Sequence, residues 1–560
     1  MANLNVTTGN DISSDTVNNK YIGLLTIVAT LGGLLFGYDT AVVNGAEKSL
    51  VSFYISGINN ITNYSYAYSL VSQFHILLAI VLYAVSVIVG LQIIKLFPRK
   101  SGITFVVVFC LILTWWIKSQ LLIQFNLNDL EQVHNFANDI KGFIIASALI
   151  GCIIGGAVAG FIAKKFGRKN GLILSALLFL ISAIGASIPE KLNFFNLLPA
   201  YSFTIYRILG GVGVGIASML SPMYIAEIAP SSIRGRLVSW NQFAIILGML
   251  IIYFVNYGIA CSGSEDWLND IGWRYMFLSG AIPALIFLIL LFFLPETPRY
   301  LVECGKDKQA LDVLSKIIRP DDAKIVVSEI KQTMHAKNAP WLSFGISVII
   351  IGVFLSIFQQ FIGINVVLYY AGNIFRNMGF DTNSSLLQTI IVGAINLVFT
   401  VIAILFVDKV GRKPLLIIGA IGMAISMAVL GFMFYFNSLG AMALFFMLAY
   451  VASFAVSWGP VVWVVLSEIF PNSIRGAMSI AVSLQWIANW IVSLTFPMLN
   501  DNLFLIEKFH HGVAYWIYSI MGLIAAFFVW KFVPETKGKT LECMEKLWNN
   551  KNKIDGISSK

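Results

Sequence analysis

The sequence predicts an all-α membrane protein that crosses the bilayer many times, and three observations carry that prediction. The first is composition: of 560 residues, 58% are hydrophobic and only 12% are charged, with a mean hydropathy of +0.82. A water-soluble domain carries about 25% charged residues. The second is distribution, because the apolar residues fall in runs of roughly 20, the length a helix needs to cross the hydrocarbon core. The third is where the charge sits. The net +9 is gathered in turns between runs: Lys95, Arg99 and Lys100 in one, Lys164, Lys165, Arg168 and Lys169 in a second, Lys409, Arg412 and Lys413 in a third. Basic turns between spans mark the cytoplasmic side, so this charge speaks for topology and not for nucleic acid. The runs lack the ten-residue alternation of a membrane barrel. Residues 1–20 are polar and lead straight into the first run without a cleavable signal pattern. The expected location is the cytoplasmic (inner) membrane, with both termini cytoplasmic.

Taken in order, the runs place spans near 21–45, 74–94, 102–124, 142–163, 171–189, 200–222, 239–260, 273–294, 345–371, 386–407, 415–435, 441–466, 477–500 and 513–533, fourteen in all. Residues 1–20 are then a cytoplasmic segment, 21–294 an N-terminal helical bundle with an insertion, 345–533 a C-terminal six-helix bundle and 534–560 a cytoplasmic tail. Between the bundles, 295–344 is charged, with Ala310, Leu311, Leu314, Ile317 and Ile318 at helical spacing. Amphipathic helices on the cytoplasmic surface are expected there.

An internal repeat supports two related bundles. Glu227-Ile-Ala-Pro-Ser-Ser-Ile-Arg234-Gly235 recurs as Glu468-Ile-Phe-Pro-Asn-Ser-Ile-Arg475-Gly476, Gly167-Arg168-Lys169 as Gly411-Arg412-Lys413, and Pro295-Glu296-Thr297 as Pro534-Glu535-Thr536, all at nearly one offset. Equivalent helices in each half therefore carry the same loop chemistry, as in parallel-repeat transporters. The two surplus spans are the pair at about 74–124, whose tip Lys95-Leu-Phe-Pro-Arg99-Lys100 is basic. An even number of added crossings preserves the orientation of everything downstream. A peripheral transmembrane hairpin is expected, with an apolar external loop as the alternative.

Five cysteines without metal spacing (Cys110, Cys152, Cys261, Cys304, Cys543) read as packing residues, and five histidines form no metal pair. No cofactor, metal or catalytic residue is expected. The glycine runs at 151–160 and 210–215 lie inside apolar helices and read as close-packing faces, not as phosphate loops.

These signals converge on a family. Leu31-Gly-Gly-Leu-Leu-Phe-Gly-Tyr-Asp39, Tyr206-Arg207, Pro222-Met-Tyr-Ile-Ala-Glu227, Pro295-Glu-Thr-Pro-Arg299, Gln359-Gln360 through Asn365-Val-Val-Leu-Tyr-Tyr370, Ser457-Trp-Gly-Pro460 and Pro534-Glu-Thr-Lys-Gly538 together resemble the sugar porters of the major facilitator superfamily. Among these, the proton-coupled xylose symporters are most similar. The resemblance runs from Tyr21 to about Trp548, apart from the hairpin. It implies two six-helix bundles, alternating access and a monosaccharide cargo. One departure stands in the first basic loop, where Lys164 replaces the usual acid or amide while the second half keeps Asp408.

Glu227 with Arg234 and Glu468 with Arg475 are opposite charges at matched mouths of the two bundles. Such groups can pair when the inner mouth closes and part when it opens. The resemblance implies this cytoplasmic gate and adds Arg168 and Arg412; interfacial anchoring is the alternative.

Sugar recognition needs neutral hydrogen-bonding groups and flat apolar faces. Gln242, Gln359, Gln360, Asn365, Asn396, Gln485 and Asn489 are amides in otherwise apolar spans, which need partners there. On a regular helix Gln359, Gln360 and Asn365 would point in different directions. Gly363 allows that helix to unwind, as transporters do at a midplane site. By resemblance, Gln242, Gln359, Gln360, Asn365, Trp458, Gln485 and Trp486 contact sugar, with Phe36 and Asn396 lining the cavity; interhelical hydrogen bonds that only hold the bundle are the alternative. Met249 stands where the xylose-type members carry glutamine and Leu368 keeps their residue, so xylose is first choice and a hexose is credible.

Asp39 lies in an apolar helix, where an ionised carboxylate costs roughly 2.5–3.5 kcal/mol on insertion scales. It should be paired or protonated. Counting 1.5 Å per residue from each span's start brings Asp39 and Arg207 to the same outer part of the bilayer. Protonation of Asp39 that releases Arg207 would couple proton to sugar, which the resemblance also implies; a static ion pair is the alternative. The expected partners are therefore a sugar, a proton and membrane lipid, with no obligate protein partner and no enzyme motif. A facilitative uniporter is the second reading, and a transporter-like sensor a distant third, given the short tail.

Overall fold

The computed structural model describes residues 18–59, 64–96, 99–122, 130–193, 197–230, 233–334, 343–470, 478–537 and Trp548. Among these residues the secondary structure is helical, without strands. The first span, Asn19–Phe53, is α1 (Asn19–Ala41) running into α2 (Val43–Asn59). The hairpin follows as α3 (Tyr64–Leu96) and α4 (Arg99–Leu122). The first bundle continues with α5 (Leu130–Phe166), α6 (Arg168–Ser187), α7 (Pro199–Ile228) and α8 (Arg234–Ala260). Its last span, Glu265–Phe293, joins α9 (Glu265–Trp267), a π turn, α10 (Trp273–Ser279) and α11 (Ala281–Phe293).

The linker is three short helices, α12 (Pro298–Glu303), α13 (Asp307–Ser315) and α14 (Pro320–Met334). Leu301, Val302 and Ala310 form a small core of their own, and Ile317 and Ile318 are buried against the main one. The second bundle comprises α15 (Ile346–Phe361), α16 (Ile364–Tyr369), α17 (Ala371–Asn377), α18 (Thr382–Val410), α19 (Arg412–Tyr435), α20 (Ala441–Val456), α21 (Trp458–Ile469), α22 (Met478–Asn500), α23 (Leu503–Phe509) and α24 (Gly512–Phe532).

The repeat read from sequence is a repeat of packing. In the first half α1 packs on α8, α5 on α7, and α6 on both α7 and α11. In the second half the corresponding helices pair identically: α15 on α22, α18 on α20, and α19 on both α20 and α24. The halves meet reciprocally, α5 against α22 and α8 against α18. Such exchange is what a two-fold relation along the membrane normal produces. The glycine faces behave as expected. A Cβ at Gly211 would lie 1.8 Å from the Ala148 carbonyl, so α5 and α7 approach at backbone contact.

Thirteen helical segments among the described residues are long and apolar enough to span. The expected span at 102–124 falls on α4, a 24-residue helix whose described apolar stretch is Gly102–Ile112. The hairpin itself forms: Gly90 and Gly102 bring α3 and α4 together, and Tyr83 and Thr114 share a hydrogen bond. It sits at the flank of the first bundle, with Phe74 edge-on to Phe136 and Phe143 and Tyr201 donating to the Leu70 carbonyl. The cysteines are not uniformly packing residues. Cys152 is buried, but Cys261 and Cys304 lie in exposed helix-end turns, and Cys543 lies outside the described residues.

Candidate functional site

Asp39 and Arg207 meet between α1 and α7. Arg207 donates through Nη1 to Asp39 Oδ1 at 2.7 Å and through Nη2 to the Asp39 carbonyl at 2.8 Å. The arginine side chain is 1% exposed and the aspartate 14%, and the guanidinium lies over the Phe277 ring at 5.4 Å. The pair is incomplete: Asp39 Oδ2 and Arg207 Nε are buried without hydrogen-bond partners. A small cavity lined by Tyr38, Val42, Phe179 and Phe277 opens beside the carboxylate. One carboxylate oxygen is thus engaged and the other is not.

A second cluster forms where two helices of the second half break. α15 stops at Gly363, whose φ of +91° is left-handed, and α16 resumes on a new line. That break lets Gln360 and Asn365 meet despite their spacing, while Gln359 turns to the carbonyls at the second break. Gln359 Nε2 donates to the carbonyls of Trp458 at 2.8 Å and Gly459 at 3.3 Å, where α20 gives way to α21. Gln485 Nε2 donates to Gln359 Oε1 at 2.7 Å, and Asn365 donates to Gln360 Oε1. Gln485 Oε1 is buried without a partner. The Trp458 indole is fully buried and its N–H is held by the Leu416 carbonyl, so only a ring face remains to it. Trp486 faces the other half, 5.5 Å from the Phe36 ring.

The remaining amides stand apart. Gln242 is half-buried on α8 and Asn396 is buried on α18, and no hydrogen bond joins either to the α15–α22 cluster. Asn489 accepts from Ser493 on its own helix. Met249 is buried where α8 crosses α1 at Gly37. Leu368 is buried too, but its conspicuous group is its carbonyl, which accepts from Asn44 and Tyr253 of the first half, both at 2.9 Å.

Gly363→Ala tests the helix break directly. An added Cβ would lie 2.7 Å from the Tyr518 ring, on backbone that itself costs an alanine about 1–2 kcal/mol. The expected result is a thermal midpoint lowered by several degrees together with lost uptake; an unchanged midpoint contradicts the strain argument.

At the basic-loop end the charges pair within each half. Arg168 Nη2 lies 2.8 Å from Glu227 and Nη1 3.3 Å from Glu303; Arg412 Nη2 lies 2.9 Å from Glu468, which also accepts from Thr536. Arg234 and Arg475 fall outside the described side chains, as does that of Asp408. The pairing across the mouth read from sequence turns on Arg234 and Arg475 and so lies outside the described side chains; the described pairs hold Glu227 and Glu468 each by an arginine of its own bundle.

Sequence reasoning missed two carboxylates in this network. Glu296 accepts the first N–H groups of α6, from Arg168 and Lys169, each at 3.1 Å; Glu535 does the same for α19, from Arg412 at 3.1 Å and Lys413 at 3.0 Å. Each satisfies orphan donors and faces the positive end of a helix dipole. Burial raises the Glu296 carboxyl above the ordinary glutamate value despite these bonds. At Glu535 burial, which alone would raise it, is outweighed by the backbone N–H groups, and the carboxyl is held below that value. The signal is in the sequence, where Pro295-Glu296-Thr297 and Pro534-Glu535-Thr536 repeat.

The sequence model of the family described as "Sugar (and other) transporter" matches residues 25–548. The chain belongs to this sugar transporter family. The D-xylose-proton symporter of Escherichia coli (strain K12) is 50% identical to it over 550 residues, covering 96% of this chain and 97% of that one. The glucose facilitated diffusion protein of Zymomonas mobilis is 42% identical over 419 residues, 74% of this chain and 89% of that one. Among solved structures, the E. coli xylose transporter in a partially occluded inward-open conformation superposes with a TM-score of 0.73 at 48% identity, covering 93% of this chain and all of that one. The fold is thus the major facilitator fold of the sugar transporter family, a multi-pass membrane architecture whose matched relatives are transporters and not enzymes.

Proposed function

We propose that this protein is a proton-coupled monosaccharide symporter working by alternating access, with D-xylose as first substrate and other pentoses or hexoses as further candidates. The observation that carries the reading is the buried Asp39–Arg207 pair with one carboxylate oxygen unengaged. Similarity to a D-xylose-proton symporter along nearly the whole chain supports it. A proton taken up at Oδ2 removes the charge that holds Arg207, and a buried ion pair that loses one charge is strongly destabilised. The two helices then separate more readily, which lets the halves rock. Sugar binds at the amide cluster of Gln359, Gln360, Asn365 and Gln485, with Trp458 and Trp486 offering ring faces and Phe36, Gln242 and Asn396 completing the cavity. Gln485 Oε1, unpaired in the protein, supplies an acceptor for a sugar hydroxyl. Met249 and Leu368 shape specificity.

We read the basic loops as cytoplasmic, the membrane as the inner membrane, and both termini as cytoplasmic. Residues 21–294 and 345–533 are then the moving bundles and 295–344 the cytoplasmic linker. Arg168, Glu227, Arg234, Arg412, Glu468 and Arg475 form the cytoplasmic gate. Its pairs lie within each half when the mouth is open and rearrange across it on closure.

A passive uniporter with the same cavity is the second reading, favoured by likeness to a facilitated diffusion protein. Uptake of labelled xylose, competed by a panel of sugars with and without an uncoupler, separates the two. A 100 mV potential contributes about 2.3 kcal/mol per charge, or roughly 40-fold accumulation at about 1.4 kcal/mol per decade. The symporter reading expects that gradient to collapse with the uncoupler. Uptake that never exceeds equilibrium makes the protein a uniporter.

A further inference from the structure

At the end opposite the basic loops, four charged side chains form a chain of ion pairs between the halves. Glu47 of α2 pairs with Lys141 of α5 at 2.6 Å and with the guanidinium of Arg376 of α17; Lys141 pairs in turn with Asp501, just beyond α22, at 2.9 Å. Glu47 and Lys141 belong to the first half, Arg376 and Asp501 to the second. Two of the three pairs therefore cross the boundary. Glu47 and Lys141 are 3% and 8% exposed, Asp501 and Arg376 18% and 20%, so the middle of the array is dry and its second-half rim is wet. Amides extend the seam: Asn138 donates to the Asp501 carbonyl at 2.9 Å, and Asn44 bridges the Leu368 carbonyl and the Gly372 N–H.

The array lies outside both sites already described, and the basic-loop end has no counterpart among the described residues. The described ion pairs there, Arg168 with Glu227 and Glu303 and Arg412 with Glu468, lie within one half, whereas here they tie the halves together. We propose that Glu47, Lys141, Arg376 and Asp501 are an ionic lock on the extracytoplasmic mouth, which sets how often the cavity opens to that side. This rests on the orientation proposed above. When the halves rock apart, Glu47–Arg376 and Lys141–Asp501 separate while Glu47–Lys141 stays whole. The parted charges regain water as the pairs dissolve, and that recovered hydration keeps the lock reversible. Removing Asp501 or Glu47 deletes a cross-boundary pair that only the closed state makes, so the population shifts toward open.

The test is a distance measurement across this mouth by pulsed electron–electron resonance. Spin labels go on the native exposed Cys261 in the first half and on Glu507→Cys in the second, with Cys110, Cys304 and Cys543 replaced by serine. Asp501→Asn, at the half-wet rim, and Glu47→Gln should each raise the long-distance, mouth-open population relative to the closed one by roughly tenfold or more. Adding Arg376→Gln to Glu47→Gln should shift it little further, because their shared pair is already lost. Distance distributions that match the parent in Asp501→Asn and Glu47→Gln overturn the proposal. The readout needs neither sugar nor proton, so a failed uptake experiment leaves it standing. Reaction of Cys261 with a membrane-impermeant thiol reagent added outside intact cells checks the orientation separately.

Discussion

Asp39→Asn is expected to abolish accumulation while leaving sugar exchange. The amide keeps an oxygen for Arg207 but carries no charge and takes up no proton, so it resembles the permanently protonated carrier. Exchange of internal for external sugar needs only that the loaded protein rock back and forth. Net uphill transport needs Asp39 to release its proton on one side and regain it on the other. The roughly 40-fold gradient available from 100 mV should therefore fall to about onefold, measured as steady-state labelled sugar in energised vesicles beside equilibrium exchange in the same preparation. The substitution leaves Arg207, 1% exposed, facing a neutral partner. Some loss of thermal stability should accompany it, because removing one member of a buried pair costs more than the pair's net worth. Undiminished accumulation would mean that Asp39–Arg207 is a static tie and that coupling resides elsewhere.

Gln485→Ala should show the next largest effect, on affinity. It removes the donor to Gln359 Oε1 and the unpaired oxygen assigned to the sugar. An unsatisfied buried group costs about 1–3 kcal/mol, and a lost neutral hydrogen bond adds about 0.5–1.5 kcal/mol. Sugar affinity is expected to drop by roughly tenfold to a thousandfold by calorimetric titration. Asn489→Ala is the control on the same helix. Its oxygen is engaged by Ser493, so its cost should fall on thermal stability more than on affinity. Equal affinities for Gln485→Ala and the parent would remove the amide cluster as the binding site.

Much of the architecture was legible because it follows from local pattern. Apolar runs of bilayer length gave the spans. The helix break at Gly363 was readable because Gln359, Gln360 and Asn365 make little sense on one regular helix. Asp39 and Arg207 were paired by depth alone, since a charge in an apolar helix demands a partner and few stand at its level. The ion pairs across the far mouth were not legible. Glu47, Lys141, Arg376 and Asp501 sit near span ends, where charged residues are ordinary, and nothing in their spacing says that they meet.

By itself the sequence determined that this chain is a doubled bundle of membrane helices with an added hairpin, one acid and one arginine inside the first half, and amides gathered at a broken helix in the second. These are consequences of hydropathy, repetition and the cost of placing polar groups in lipid, all of which act within a helix or between equivalent ones. Only the tertiary structure decided which partner each charge takes. It put Glu227 with Arg168 and Glu468 with Arg412 inside their own halves, set Glu296 and Glu535 at helix starts, and joined the halves through ion pairs at the far mouth. The reason is that two halves able to rock offer the same side chains different partners in different arrangements, and a one-dimensional pattern carries no record of which arrangement is occupied.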